Sequence, residues 1–526
     1  MKRFDIHFNE LPGSPGEAQL VDRVPRLRDR SMTINSGEAG TAKHRASERA
    51  IHLPFSLWRP TKATHAGLLT MSDVPAAAYP PGFRPRRGLN WFLIGLLYAS
   101  YYMCRYNFRF ATPGMVEEFG FSTFQITGIL SAWSIAYGTG QLVNGLLTDR
   151  IGGKTAMLIG AAGTIIINLI FGFASFAGTF TTFAAIWLMN GYMQSFGAPG
   201  MVKMNAAWFR RTERGTFAGI FGFMIQLGQF AINNLAPVIL AGFTVGVWVV
   251  AKNDWHWLFR IPPLIVAVAA ILLAIFVKET PEEAGYRGLI ETTQGSGSSS
   301  RTRLRECFTT IFRHPLIWFY AVAYACTGAV RNSSDQLMIL YFHEQLKLDL
   351  AEKPAAVLWT VNLMPLVAVF GSLSAGLISD KFFKGRRSPV AMTLYFIECA
   401  VIVTAAIVIA AGVAGPTPTG IFIGCLFLVL VALTANSTHA IVGTAAPMDI
   451  GGRKMAGFAC GVVDSFQYYG TAIALPLTGW LIDLYGWGVW YPVMAGFGAI
   501  GGISMLLVMR KQRRMHSSGD ARAVSR

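Results

Sequence analysis

Long apolar stretches recur along most of the chain, and short polar connections separate them. Each stretch is close to the roughly 20 residues that an α-helix needs to cross a bilayer. Twelve of them lie at 89–113, 124–148, 155–176, 181–205, 216–243, 255–277, 316–341, 355–378, 389–411, 419–442, 456–481 and 488–509. Because a helix satisfies its own backbone hydrogen bonds within lipid, the pattern predicts an all-α membrane protein with twelve transmembrane helices.

The composition agrees with this class, since 53% of the 526 residues are hydrophobic and 14% are charged. A formal net charge of +17 would indicate nucleic acid as the partner of a soluble chain, but here the basic residues lie in every second connection between apolar stretches. That asymmetry is the positive-inside pattern, which predicts cytoplasmic termini. We therefore expect a multi-pass protein of the bacterial plasma membrane, with lipid and not nucleic acid around it.

The polar stretches divide the chain into five parts. Residues 1–87 are rich in Arg, Ser, Gly and Pro and lack the apolar core of a signal peptide, which predicts a disordered, basic cytoplasmic tail. A linker at 279–315 separates a first six-helix bundle, 88–278, from a second one, 316–510, and residues 511–526 form a cytoplasmic tail. Within the linker, LRECFTTIF has the apolar face of an interfacial helix, and the alternative is that it begins the seventh span.

The two halves repeat one motif at the same place. GLLTDRIGGK follows the second span and GLISDKFFKGRR follows the eighth. An Asp at a helix end can cap a neighbouring helix and pair with bases, which would close the inner mouth of a cavity in one state. The predicted gate residues are Asp149, Arg150, Lys154, Asp380, Arg386 and Arg387. The repeated motif resembles the signature loop of the major facilitator superfamily, which implies two pseudo-symmetric six-helix bundles.

Arg105 lies about 24 Å into the first span, where a bilayer-crossing helix rarely has a charge. Burying an Arg there costs at least about 2.5 kcal/mol, so we expect Arg105 to face a cavity and to bind an anion. The internal repeat places Arg331 of the seventh span opposite to it. Two planar guanidinium groups can hold a dianion, whereas the structural alternative is an ion pair between Arg331 and Asp335. Arg109, nearer the outer face, is expected to snorkel or to gate.

From about Trp91 to Arg510 the sequence resembles the organophosphate:phosphate antiporters, which include the bacterial glycerol-3-phosphate and hexose-6-phosphate transporters. The resemblance rests on YYMCRYNF, SIAYGTGQLVNGLLTDR, GYMQSFGAPGMVKMNAAWFRRTERG, VKETPEEAGY and GWLIDLYGW, together with the Arg of the seventh span. It implies that Arg105 and Arg331 bind the phosphoryl group of the substrate. It also implies that the cavity around them is lined by Tyr98, Tyr102, Tyr137, Lys203 and Tyr468.

Three positions depart from the glycerol-3-phosphate pattern. A Lys that follows the first Arg is here Tyr106, a Lys of the second span is Gln141, and a His of the fifth span is Ile225. The cavity, in whose lining we include Gln141, therefore has fewer positive charges than that of a glycerol-3-phosphate transporter. This difference favours a bulkier or differently charged organic anion.

Asp335 and Asp464 are the candidates for coupling or selectivity. Either carboxyl would bind a proton if burial disfavours its charged form, and Asp464 has a structural alternative as the partner of Lys203. Glu398 and His439 are more typical of residues that pack within a bundle.

Together these features predict a secondary transporter that works as a monomer by alternating access and exchanges a small organic phosphate for inorganic phosphate. Two alternatives use the same fold: a symporter of organic anions with protons, and a membrane sensor of sugar phosphates. We expect no enzyme, and the sequence has no GxxxxGK[ST] loop for ATP. The six cysteines lack paired spacing, so we expect neither a metal site nor a cofactor.

Overall fold

The computed structural model describes residues 79–174, 178–210, 213–246, 248–287, 289, 312–314, 316–383 and 387–524. Most of the predicted tail and most of the predicted linker lie outside these residues, and so does Arg386. The side chain of Asp380 also lies outside the described part, although the backbone of Asp380 belongs to a helix.

The described residues form twelve α-helices and one β-hairpin. The helices are α1 (Phe83–Phe119), α2 (Thr123–Ile151), α3 (Gly153–Gly172), α4 (Phe180–Gln194), α5 (Gly197–Trp208), α6 (Arg214–Leu240), α7 (Ile261–Phe276), α8 (Ile317–Glu344), α9 (Ala355–Phe383), α10 (Arg387–Ala410), α11 (Pro418–Tyr485) and α12 (Trp490–Val524). The antiparallel strands β1 (Phe243–Val245) and β2 (Trp248–Val250) form the hairpin between α6 and α7, and a short 3-10 helix (Trp255–Phe259) leads into α7.

The fourth predicted span is divided into α4 and α5, which Ser195 and Phe196 separate. Pro199 lies in the first turn of α5 and has no N–H to donate to the carbonyl of Ser195. The helical hydrogen-bond pattern of α4 therefore ends at Gln194, and a new one begins with Gly197.

The tenth and eleventh predicted spans lie in one run of helical backbone, α11, which is 68 residues long. Gly424, near its start, lies beside Tyr341 at the C-terminal end of α8. Trp487, just after its end, donates Nε1 to Glu344 at that same end of α8. Since both termini of α11 meet one end of α8, the run folds back on itself and supplies two antiparallel spans, as the sequence predicts.

The two predicted tails are shorter than expected. Helix α1 begins at Phe83, so residues 83–87 are helical and not disordered. Phe83 is buried and stacks on Trp208, with ring centroids 5.9 Å apart, and Pro85 occupies a first-turn position where no N–H is needed. At the other end α12 continues through Val524, well beyond the twelfth apolar stretch.

Within the described part of the chain, seven segments are long and apolar enough to cross a membrane: Gly153–Gly172, Gly222–Leu240, Trp255–Phe276, Ala355–Phe383, Arg387–Ala410, Pro418–Gly443 and Trp487–Met515. Helices α1, α2, α8 and the returning part of α11 are more polar, and many of their polar side chains are buried. These polar helices pack against one another between the halves, α1 on α8 and α2 on α11. A site for a charged ligand can form where they meet.

We call the end of the bundle that holds residues 117–122 and 343–354 the outer end, and the end that holds residues 149–153 the inner end. At the inner end two charges connect α3 to the segment after α7. Glu279 accepts a hydrogen bond from the N–H of Gly153 at 2.6 Å, and Lys154 Nζ donates to the carbonyl of Val277 at 2.8 Å. An anion at a helix start and a cation at a helix end are both favoured by the helix dipole. Lys154, a predicted gate residue, therefore stabilises the first half internally.

Candidate functional site

A cavity with about 490 Å³ of space not filled by atoms lies between the two halves. Its wall is built from α1, α2, α4, α8 and the returning part of α11, and both Arg105 and Arg331 belong to it. Arg105 is buried and Arg331 is half-buried. The lining residues are Tyr102, Arg105, Tyr106, Leu130, Trp133, Ser134, Trp187, Arg331, Asn332, Gln336, Tyr468, Thr471 and Leu475.

Aromatic rings surround the guanidinium of Arg105. Its Cζ lies 4.5 Å from the ring centroid of Tyr102, 4.6 Å from that of Trp133 and 4.4 Å from that of Tyr137. Nε donates to Oε1 of Gln194 at 3.2 Å. Cation–π contacts stabilise the charge in a dry site without neutralising it. The edge that carries the two terminal nitrogens makes no hydrogen bond to the described protein groups, so it remains for a ligand.

Arg331 is held in the same way by the second half. Its Nε donates to Oδ1 of Asn436 at 3.0 Å. Gln194 ends α4, in the fourth predicted span, and Asn436 lies in the tenth, so the two amides occupy equivalent spans of the two halves, as the arginines do. Sequence reasoning missed both amides. The signal that could have found them is an amide in the fourth and tenth spans at the depth of each Arg.

Arg331 and Asp335 do not form the ion pair that the sequence left open as an alternative. Among the described residues Arg331 bonds to Asn436, whereas the Asp335 carboxylate accepts a hydrogen bond from the Tyr106 hydroxyl at 3.5 Å. The side chain of Asp335 therefore connects the two halves through α1 and α8.

The predicted tyrosines form a continuous group around Arg105. Tyr98 meets Tyr102 edge to face, with ring centroids 5.6 Å apart, and Tyr137 lies 4.6 Å from Tyr468 across the halves. Tyr98, Tyr102 and Tyr137 are buried, and Tyr468 is half-buried in the cavity wall. Aromatic side chains with hydroxyls offer a rigid wall that can also bond to substrate oxygens.

Lys203 lies elsewhere. Its Nζ donates to the carbonyls of Thr148 and Asp149, both at 2.9 Å, and is 4.0 Å from the Asp149 carboxylate. It therefore caps the C-terminal end of α2 at the inner end, where the helix dipole favours a cation. The expectation that Lys203 lines the substrate cavity is wrong for this conformation.

Asp464 is half-buried and is not paired with Lys203. It accepts a hydrogen bond from Nε2 of Gln467 at 3.3 Å, and the side chain of Gln141 of α2 lies close to it. The ion pair between Asp464 and Lys203, which the sequence left open as an alternative, is therefore not formed. His439 bonds to the Tyr324 hydroxyl at 2.9 Å, which agrees with a packing role.

Arg109 does not snorkel to the surface, as one expectation had it, because its side chain is fully buried. It donates to the backbone carbonyl of Asp335 at 3.0 Å and to the side chain of Asn233. Asn233 in turn donates to the carbonyl of Val361. These bonds join α1, α6, α8 and α9 on the outer side of the cavity, and the other expectation, that Arg109 gates, stays a prediction.

Several further contacts close the outer end between the halves. The Asp483 carboxylate, at the end of α11, accepts hydrogen bonds from the first two backbone N–H groups of α2, Thr123 at 2.9 Å and Phe124 at 2.8 Å. Glu117 lies 3.3 Å from His343. We call this set of contacts, together with those of Arg109, the outer closure.

Toward the inner end, the cross-half hydrogen bonds of the described residues stop at Ser465–Gly138 and Thr139–Tyr469. The structure is thus closed at its outer end. Of the predicted inner gate residues, Asp149 is mostly exposed, Arg150 is exposed near the end of α2, and Arg387 begins α10.

Comparison with known proteins agrees with this architecture. The sequence model of the Major Facilitator Superfamily matches residues 94–440. Membrane sensor protein UhpC of Escherichia coli (strain K12) is 27% identical over 434 residues, which cover 79% of this chain and 90% of that protein. The glycerol-3-phosphate transporter of Bacillus subtilis (strain 168) is 27% identical over 400 residues, 74% of this chain and 85% of that protein.

Among solved structures, a bacterial homolog to the human lysosomal transporter Spinster, in an inward-facing and unoccupied conformation, shares the fold with a TM-score of 0.61. The match is 15% identical and covers 81% of this chain and 94% of that chain. Because the family model spans more than half of the sequence, this chain belongs to the Major Facilitator Superfamily, a family of multi-pass membrane transporters and not of enzymes.

Proposed function

We propose that this chain carries a small phosphorylated organic anion across the plasma membrane of a bacterium in exchange for inorganic phosphate. The observation that carries the proposal is the pair of arginines, Arg105 and Arg331, in the wall of one cavity between the halves. Each has Nε held by an amide of its own half, which leaves the terminal nitrogens for a ligand. Planar guanidinium groups match the oxygens of a phosphoryl group.

A relative supports phosphate as the recognised group, since one protein that aligns along most of the chain is a glycerol-3-phosphate transporter. In this proposal Tyr102 and Tyr468 line the binding site, and Tyr98 and Tyr137 pack against them. Gln141 and the acids Asp335 and Asp464 adjust its selectivity, because they change the charge and the hydrogen-bonding groups around the same anion.

Exchange follows from the charge of the empty site. Two guanidinium groups without a counter-ion are costly to enclose between packed halves, and a bound anion lowers that cost. The transporter therefore changes conformation readily with phosphate or an organic phosphate bound, and reluctantly when empty. Coupling of the two substrates needs no proton in this scheme.

Alternating access would move the first bundle, residues 88–278, against the second, residues 316–510, around the two arginines. With cytoplasmic termini, the outer closure would face away from the cytoplasm, and in this proposal the state closed at the outer end is the one that can open to the inside. The opposite state requires the hydrogen bonds of Arg109 and Asp483 to break. Both bundles, the two arginines and the outer closure belong to one chain, so a monomer is sufficient in this proposal.

The test is counterflow in proteoliposomes loaded with inorganic phosphate, with labelled phosphate or organic phosphates outside. We expect uptake by the wild type, and a loss of at least about 100-fold in Arg105→Lys and in Arg331→Lys, because an ammonium lacks the fork of a guanidinium. Arg260→Lys is the matched control: Arg260 also stacks on a ring, that of Phe173 at 4.3 Å, but outside the cavity.

A sensor of sugar phosphates is the second candidate function, because a membrane sensor protein aligns with 79% of this chain. The two functions share a binding site and differ in transport. Binding of organic phosphates that requires Arg105, without counterflow of any of them, would favour the sensor and contradict the exchanger.

A further inference from the structure

Two polar atoms in the cavity wall have no hydrogen-bond partner: Nε1 of Trp133 and Oε1 of Gln336. Both side chains are more than nine-tenths buried, with exposed fractions of 6% for Trp133 and 8% for Gln336. Buried polar atoms are nearly always satisfied in native proteins, and each exception calls for a ligand or another reason. Their position in the cavity wall makes a ligand the direct explanation.

Neighbouring polar groups of the same wall already have partners. Asn332, one residue after Arg331, donates to the Thr471 hydroxyl at 2.7 Å, and Ser134 donates to the carbonyl of Leu130 at 2.9 Å. A ligand would have to break these bonds to use the groups. The unpartnered atoms of Trp133 and Gln336 can bind it without that loss.

The two residues lie on opposite sides of the cavity and close to the arginines. Trp133 belongs to α2 and packs its ring 4.6 Å from the Arg105 Cζ. Gln336 belongs to α8 and follows Arg331 by five residues, about 7.5 Å further toward the outer end. A molecule whose phosphoryl group is bound by the arginines would therefore place its next few atoms beside Trp133 and Gln336.

We propose that Trp133 and Gln336 determine specificity for the organic part of the substrate and select a short phosphate ester that carries a hydroxyl group. This inference rests on the proposed function. The indole N–H donates to an oxygen, and the amide oxygen accepts from a hydroxyl. If the amide is rotated, its NH₂ donates to the same hydroxyl, which both donates and accepts, so the class of substrate is unchanged.

The rest of the wall limits how many hydroxyls can be bound. Leu130, Trp187 and Leu475 contribute mainly apolar surface beside the two unpartnered atoms. A hexose phosphate would bring several hydroxyls against this surface, and those that the tyrosine hydroxyls of the wall do not reach would be left without partners, which is unfavourable. A three-carbon phosphate with one or two hydroxyls loses less, so the wall favours a smaller substrate than the bulkier anion that the sequence suggested.

The experiment measures competition for labelled phosphate exchange in proteoliposomes by glycerol 3-phosphate, propyl phosphate and glucose 6-phosphate. In the wild type we expect glycerol 3-phosphate to compete at least about tenfold better than propyl phosphate, because the deoxy analogue leaves the buried groups unpaired. Gln336→Met, which keeps the size of the side chain, and Trp133→Phe should each remove most of that difference.

Gln226→Met is the matched control, because Gln226 also has an unpartnered Oε1 but does not line the cavity. Equal competition by propyl phosphate and glycerol 3-phosphate in the wild type would overturn the inference, and so would a preference that persists in Gln336→Met. An equal loss of phosphate and glycerol 3-phosphate transport in a folded Gln336→Met protein would assign the residue a structural role. Failure of the wild type to exchange phosphate at all would instead contradict the proposed function.

Discussion

Each arginine of the site is held by a neutral amide and not by an acid. Gln194 and Asn436 accept one hydrogen bond from Nε of Arg105 and of Arg331, respectively. An amide fixes the orientation of the guanidinium plane without cancelling its charge, so the full charge remains for the ligand. A carboxylate in either place would compete with a phosphoryl group for the same nitrogens.

Removing either amide should weaken phosphate binding and leave the arginines in place. We expect Gln194→Leu and Asn436→Leu to raise the KM for phosphate exchange by about tenfold each, because a hydrogen bond to a charged group is lost and the guanidinium becomes mobile. The measurement is the concentration dependence of exchange in proteoliposomes, with thermal stability in detergent as the check on folding. An unchanged KM in a folded variant would show that the amides do not position the arginines.

A substitution of Lys203, in contrast, is expected to leave the KM for phosphate exchange nearly unchanged. Because it caps α2 at the inner end and does not line the cavity, Lys203→Met should leave the KM for phosphate within about twofold. It should reduce stability in detergent by a few degrees, since a favourable charge at a helix end is lost. A large rise in KM without loss of stability would return Lys203 to the binding site in another conformation.

The arginines could be recognised from the sequence because a charge deep in an apolar stretch is costly and therefore rare. Their amide partners are harder to recognise, because neutral amides are common within membrane bundles and only the matching depth in the fourth and tenth spans distinguishes these two. The position of Lys203 depends on where α2 ends and on how α5 packs, which is tertiary information. The burial of Arg109 likewise depends on Asn233 and on the backbone of Asp335, both distant in sequence.

At the scale of helices, carboxylates at helix starts connect the parts of the protein. Glu279 binds the start of α3 within the first half, whereas Asp483 binds the start of α2 across the halves. Both belong to motifs of the sequence, VKETPEEAGY and GWLIDLYGW, whose physical role the sequence alone does not reveal. The Glu279 contact can persist during transport, but the Asp483 contact has to break when the outer end opens.

Asp483→Asn should therefore favour opening of the outer end. Loss of the charged cap removes up to about 1 kcal/mol from the closed state, which corresponds to a change of about fivefold in the population of the open state. The measurement is the rate at which a membrane-impermeant thiol reagent, added from the outside, labels a cysteine introduced at Ser131. Ser131 is buried against the carbonyl of Ala472 in the closed state.

Asp254→Asn is the control for this experiment, since Asp254 bonds to the N–H of His256 within the first half. It should leave the labelling rate unchanged. A labelling rate in Asp483→Asn equal to that of Asp254→Asn would show that the Asp483 cap does not contribute to closure.

The helices themselves follow from the sequence because apolar length and the polar connections determine them. The break between α4 and α5 could have been read from Pro199, whereas the continuous helical backbone of α11 could not, since Gly451 and Gly452 indicate a turn there. The ends of α1 and α12 extend beyond the apolar stretches because helix formation continues into polar sequence where no residue prevents it.

At the scale of the whole molecule, the outer closure and the cavity behind it correspond to one of the two states that the proposed alternating access requires. The halves touch through polar groups at the outer end, which can exchange protein partners for water when they separate. A closure built only from packed apolar side chains would be more costly to open. The same polar groups are the reason that α1, α2 and α8 are less apolar than a membrane-crossing helix usually is.

The energy source for transport separates the proposed exchanger from a proton symporter on the same fold. In exchange, the arginines and the bound anion set the charge balance, so Asp464→Asn should change affinity or selectivity by a few-fold and leave counterflow in place.

In symport a carboxylate has to gain and lose a proton in each cycle, which a neutral amide cannot do. Asp464 accepts a hydrogen bond from Gln467 and makes no ion pair within the described part of the chain. The measurement is uptake into proteoliposomes without internal substrate, under an imposed pH gradient. We expect no uphill uptake in wild type or variant. Robust uptake by the wild type that Asp464→Asn abolishes, while counterflow survives, would decide in favour of the symporter.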